Sequence, residues 1–72
     1  MSDLNKICVV GMGLLGASVS LSIKGSLSST KVVGYSHRRQ TREKARQNGV
    51  TDDVAETLAE AVEDADLVIL AT

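Results

Sequence analysis

Three glycines carry the first chemistry legible in this chain. The apolar run Ile7-Cys8-Val9-Val10 breaks into Gly11-Met12-Gly13-Leu14-Leu15-Gly16 and continues as Ala17-Ser18-Val19. The order is strand, tight turn, helix, which is what a loop that cradles a pyrophosphate requires. Gly11 permits the turn, Gly13 lets a phosphate come close to the backbone, and Gly16 lets the new helix pack against its own strand. A helix opening around Leu14 aims backbone N–H groups and its positive dipole end at the anion. Residues Gly11, Met12, Gly13, Leu14, Leu15 and Gly16 are therefore the expected lining of a dinucleotide site. Gly16-Ala17-Ser18 stands in place of the Gly-Lys-Ser/Thr ending of a nucleoside-triphosphate loop, which disfavours kinase or ATPase chemistry.

About twenty residues past the last glycine, an NAD-binding unit usually presents Asp or Glu to the adenine ribose. Here the position holds Ser36, followed by His37, Arg38 and Arg39. A carboxylate would repel a ribose 2′-phosphate, whereas Ser36 can donate a hydrogen bond and two guanidinium groups can bind the phosphate in bidentate fashion or stack on adenine. The expected cofactor is NADP, with NAD as the alternative. Arg42, Lys44 and Arg46 read as the solvated face of a surface helix. His37 is the only histidine, but its place at the adenosine end suits an exposed side chain or an adenine or phosphate contact rather than acid–base catalysis. Ala71 and Thr72 close a last apolar run, where open α/β sheets hold ligands, and a contact with the cofactor is expected there.

The elements that must position these groups follow from periodicity. Strands are expected at 7–10, 31–35 and 67–71, with a brief additional strand within 50–54. The first helix should cover 14–24 and end at Gly25, with Leu14, Leu15, Val19, Leu21 and Ile23 as its apolar positions. A second, largely solvated helix should cover 41–47, after a turn over 36–40 and before the stop signal Asn48-Gly49. Thr57-Leu58-Ala59-Glu60 has the spacing of a capping box and should open a third helix over 58–64, with Leu58, Ala61, Val62 and Ala65 available for burial. The continuous run 67–71 reads as a strand covered on both faces. The fold class is α/β, a partial Rossmann-type doubly wound parallel sheet in the order β-α-β-α-(β)-α-β.

Composition narrows the function classes. Seventy-two residues allow one small domain, and a single aromatic residue, Tyr35, leaves Val, Leu, Ile and Ala to build the core. A formal charge of −1 provides no field to gather nucleic acid or an anionic membrane. The lone Cys8, between Ile7 and Val9, reads as a small buried hydrophobe in a reducing compartment, and no apolar run is long enough to span a bilayer. The cytoplasm is the expected location. Asp52, Asp53, Glu56, Glu60, Glu63, Asp64 and Asp66 have no His or Cys among them and are assigned to capping and solubility rather than to a metal. Because the chain stops on an apolar strand, it is expected to be the amino-terminal part of a larger dinucleotide-binding domain.

With these residues placed, the chain resembles the prephenate/arogenate dehydrogenase family of tyrosine biosynthesis. The resemblance rests on Val10-Gly11-Met12-Gly13-Leu14-Leu15-Gly16-Ala17-Ser18, on Val33-Gly34-Tyr35-Ser36 and on Ala65-Asp66-Leu67-Val68-Ile69-Leu70-Ala71-Thr72. It implies an NAD(P)-dependent removal of hydride and carbon dioxide from prephenate or arogenate, by a homodimer when full-length. Many members have Asp where this chain has Ser36, a departure that resembles the NADP-using, arogenate-preferring branch. The resemblance also implies that the catalytic histidine, the arginine for the substrate carboxylate and the helical dimerisation domain lie beyond residue 72, so the chain alone should not turn over substrate. A non-catalytic nucleotide-sensing domain, or another NADP-dependent reductase with the same first half, is the alternative.

Overall fold

The computed structural model of the chain describes residues 4–27 and 29–71. Its elements run β1 (Lys6–Val10), α1 (Leu14–Ser26), β2 (Lys31–Tyr35), α2 (Arg39–Asn48), β3 (Asp53–Val54), α3 (Leu58–Val62) and β4 (Leu67–Leu70). All strands are parallel and stand in the order β3-β2-β1-β4, so β1 lies at the centre with β2 on one side and β4 on the other. The chain thus builds outward from β1 in one direction and then crosses back past it. That reversal is the switch point at which open α/β sheets receive ligands.

Register divides the core in two. Ile7 pairs with Val32 and Val9 with Gly34, and alternate positions share a face, so Ile7, Val9 and Val32 point one way. They join Met12, Ala45, Val54 and Ala71 in the buried cluster, with Val19, Ile23 and Leu27 of the α1 segment packed against it. Cys8 and Val33, paired and also buried, point the other way, and α3 lies against β2 with Ala61 fully enclosed. Burial raises the Cys8 thiol pKa, opposed by the Lys6 charge, as suits an inert packing residue.

Several expectations are revised. Helix α1 runs through Gly25 and stops at Leu27, whose N–H still reaches the Ile23 carbonyl. Its sheet-facing side combines the buried Gly16 and Ser20 with Val19 and Ile23, the latter two packed on the core as expected, while Leu15 and Leu21 are exposed. Helix α2 begins at Arg39 rather than 41, and Gly49 ends it in the left-handed conformation (φ 65°). Helix α3 ends at Val62, shortly before Asp64, whose φ of 59° breaks the helical path. Thr57 caps α3 by accepting from the Glu60 N–H, but Glu60 reaches back to the N–H of Glu56 instead of Thr57. Ala61 is buried and Ala65 half-buried, whereas Leu58 and Val62 are exposed. Strand β4 keeps the composition of a covered strand but stands at the edge of this sheet, so Leu67, Val68 and Leu70 are exposed, Leu70 at 73%, as expected where nothing among the described residues covers it. No helix among the described residues is long and apolar enough to cross a membrane.

The amino ends of β1 and β4 are tied together. The Asp66 carboxylate accepts from the N–H groups of Asn5 (2.7 Å) and Lys6 (3.0 Å), and Asp66 N–H donates to the Lys6 carbonyl. The Lys6 ammonium donates to the Glu60 and Glu63 carbonyls at the end of α3. These contacts fix the far edge of the sheet and leave the carboxyl edge open to function.

Candidate functional site

The glycine loop leaves β1 through Gly11, whose φ of 98° requires glycine and whose N–H donates to the Tyr35 carbonyl (2.7 Å). This bond fastens the loop to the end of β2. A Cβ on Gly16 would overlap the carbonyl oxygen of Gly11 and come within 3.8 Å of the Ala71 Cβ, so the first turn of α1 sits directly on the loop and beside the end of β4. Ala71 is buried, and its N–H donates to the Val10 carbonyl (2.8 Å). Three strand ends, those of β1, β2 and β4, converge here.

Gly13 is different. Its φ of −74° is available to any residue, and a Cβ would meet no atom within 4 Å. Neither backbone strain nor packing requires glycine there, but an incoming molecule that must touch the backbone would. Gly13 is also the N-cap of α1, makes no side-chain cap bond, and is followed by no acidic residue in the first turn. The helix therefore presents its N-terminal N–H groups and dipole unneutralised. Helix α2 likewise lacks a side-chain cap and an acidic first turn, whereas α3 has both the Thr57 cap and Glu60. The carboxyl edge is thus receptive to anions above β1 and β2 and occupied above β3. These features fit a dinucleotide pyrophosphate.

The other sequence-read residues divide by environment. The Met12 side chain is buried, packed where a Cβ on Gly34 would collide with its sulfur (2.8 Å), so only its backbone is on offer to a ligand at the loop. Leu15 is 61% exposed on the first turn. Leu14 opens α1, with its side chain outside the described residues, as is Thr72. Ser36 is buried just past β2, and its Oγ accepts from the Arg38 N–H (3.2 Å). With an acceptor site so used, its hydroxyl proton remains to be donated. His37, Arg38 and Arg39 are all exposed around the start of α2. An open cleft of about 410 Å³ runs between the helices from Met12, Gly13 and Ala17 to Thr41, Lys44, Ala45 and Asn48.

Arg42 is not part of a solvated face, whereas Lys44 and Arg46 are exposed as expected, Arg46 in ion pairs. Arg42 Nη1 donates to the Ser36 carbonyl (2.7 Å), its guanidinium lies 5.9 Å from the centre of the Tyr35 ring, and Nη2 stands 3.7 Å from Glu56. Arg46 donates to the Val54 carbonyl and to Glu56 (3.0 Å), which holds the Glu56 carboxyl below its ordinary pKa, with Arg42 and Arg39 adding to the effect. The spacing of Arg38, Arg42 and Arg46 at every fourth residue was the available signal, since it places them along one helix face.

Residues 2–72 match the family described as acetohydroxy acid isomeroreductase, NADPH-binding domain. The chain belongs to this family of NADPH-binding domains. Among curated relatives, this domain is 34% identical over 68 residues to a prephenate dehydrogenase of Lactococcus lactis subsp. cremoris, covering 94% of the chain and 19% of the relative. It is 31% identical over 70 residues to a cyclohexadienyl dehydrogenase of Zymomonas mobilis, covering 97% of the chain and 24% of the relative. The solved structure of prephenate dehydrogenase from A. aeolicus, in complex with hydroxyphenyl propionate and NAD+, superposes with a TM-score of 0.87 at 25% identity, over 99% of this chain and 25% of that one. The domain therefore spans about a fifth to a quarter of the length of these relatives. The resemblance read from the glycine loop and residues 65–72 is borne out, as is the Rossmann-type parallel sheet. The relatives are oxidoreductases, and what they share with the isomeroreductase domain is a nicotinamide-dinucleotide-binding part.

Proposed function

We propose that this domain binds the adenosine and pyrophosphate portion of NADP within a dehydrogenase that acts on prephenate or arogenate in tyrosine biosynthesis. The observation that carries this reading is Gly13, a glycine that neither strain nor packing requires, at the uncapped N-terminus of α1. In this reading the N–H groups of the first turn of α1 hold the pyrophosphate, and Gly13 keeps the approach clear. Ser36 donates to the ribose, Arg38 and Arg39 take the 2′-phosphate, and Leu15, His37, Ala71 and Thr72 complete the walls. The absence of a carboxylate directly after β2 supports NADP over NAD.

The nicotinamide of the bound cofactor would accept the hydride as the substrate loses its carboxylate as carbon dioxide. The contribution of these residues is to bind and orient; His37, exposed past the end of β2, is assigned no proton transfer. The acid–base histidine, the arginine for the substrate carboxylate and the dimerisation helices are assigned to other parts of the full-length protein, a homodimer in this reading.

Titration calorimetry of the full-length protein with NADP and NAD tests this reading. The double reversal Arg38→Glu, Arg39→Glu is expected to weaken NADP about a hundredfold or more, the worth of two charge-assisted contacts, and to leave NAD within a few-fold. Failure to bind either dinucleotide, or an unchanged NADP affinity in the double variant, would reject it. Following NADPH formation with arogenate and with prephenate then identifies the substrate.

A further inference from the structure

We propose that Arg42 is a positioning residue for the cofactor's adenosine end: it shapes the turn over residues 36–39 from beneath without itself touching the nucleotide. The inference rests on the reading that this turn receives the adenosine portion. Its own evidence lies in how Arg42 is held. The side chain is only 12% exposed, although it arises from a polar surface helix. Its Nε is buried and has no hydrogen-bond partner among the described residues. A guanidinium enclosed in this way is a local cost, since an N–H removed from water without an acceptor loses its solvation.

What the arrangement achieves is fixation of Ser36. The Ser36 carbonyl is clasped by Arg42 Nη1 at 2.7 Å, and its Oγ is occupied by the Arg38 N–H at 3.2 Å. Both acceptors of the residue are therefore turned toward the protein, and the hydroxyl proton is the group left for a ligand. The Tyr35 ring lies against one side of the guanidinium and Glu56 faces it at 3.7 Å, so the charge that grips the turn is itself held in place. Arg38 and Arg39, which follow directly on the clasped residue, remain exposed. Arg42 thus acts through Ser36 and the turn, and its effect extends to any ligand carrying adenosine, whether or not the ribose bears a phosphate.

The test uses the full-length protein, the variants Arg42→Gln and Arg42→Lys, and two probes, 5′-AMP and 2′,5′-ADP. Arg42→Gln is expected to weaken both probes by the same factor, about tenfold, as for loss of one charge-assisted hydrogen bond. The same factor should appear in KM for the dinucleotide, with kcat at saturation within about twofold. Arg42→Lys, which can still donate to the Ser36 carbonyl, should recover a large part of the loss. Selective loss of 2′,5′-ADP binding would make Arg42 a direct phosphate ligand and overturn the proposal. So would unchanged affinities, or a fall in kcat equal to the rise in KM together with a lowered melting temperature in both variants. If the wild-type protein binds the two probes equally well, the NADP reading fails while the comparison of variants still decides the role of Arg42.

Discussion

A methyl group at Gly16 would overlap the carbonyl oxygen of Gly11, whereas one at Gly13 would meet no protein atom within 4 Å. Gly16→Ala is therefore expected to push α1 off the loop and to destabilise the fold by about 1–3 kcal/mol, as forced overpacking does. Gly13→Ala replaces an acceptable N-cap by a poor one and should cost about 1 kcal/mol. Its effect should fall instead on the dinucleotide, with at least about tenfold weaker binding for a methyl placed in the pyrophosphate's path. Thermal melts and calorimetry on the two variants separate these outcomes, and equal losses of stability would remove the argument for a ligand at Gly13. At this scale the glycines were legible because their spacing has a backbone reason. Arg42 was misread because a basic run on a helix normally faces water. A long apolar stem let this one bury itself while its head reached a carbonyl, which depends on tertiary position rather than on local pattern.

Elements were legible wherever one local rule acted alone. β2 occupies the expected residues, the brief strand falls within 50–54 and Gly49 stops α2, because apolar runs and a left-handed glycine leave little choice. Gly25 failed as a stop because a glycine ends a helix only where the chain must turn left-handed. It lies inside α1, exposed, and a Cβ there would meet nothing within 4 Å. Gly25→Ala is thus expected to raise stability by about 0.5–1 kcal/mol through lower chain entropy in the unfolded state, measurable in a denaturant titration. The junction of β1 and β4 gives a prediction of opposite sign under acid. The backbone N–H groups of Asn5 and Lys6 hold the Asp66 carboxyl below its ordinary value of 3.8. Because the folded form prefers the ionised group, its contribution is present above that value and is lost as pH falls through the lower folded one. Glu56, lowered by Arg46, adds a loss of the same sign. Melting temperature should decline below about pH 4, and Asp66→Asn should make the decline shallower; an unchanged slope would assign the acid sensitivity elsewhere.

At the scale of the molecule, consecutive βαβ units explain why β2 lies beside β1 and β3 beside β2, but no local pattern says that β4 returns to the other side of β1. That placement follows from the doubly wound order to which the glycine loop points, not from the pattern of β4 itself. It brings the end of β4 to the glycine loop, and it also sets β4 at the rim of the four-stranded sheet, hydrogen-bonded to β1 alone among the described strands. An apolar run of the kind found in a covered strand therefore stands in solvent: Leu67 and Val68 are each more than two-fifths exposed and Leu70 far more, with Leu58 and Val62 exposed on α3. A rim strand of this composition presents both unpaired backbone groups and apolar surface, the combination that recruits another chain. The 72-residue domain in isolation is accordingly expected to self-associate, with a sedimentation coefficient that rises with concentration. Substituting Leu70 by Lys should suppress the rise while leaving far-ultraviolet circular dichroism unchanged, since that side chain is already largely in water. A monomer with a cooperative, concentration-independent melt would show that the exposed face of β4 is tolerated without a partner.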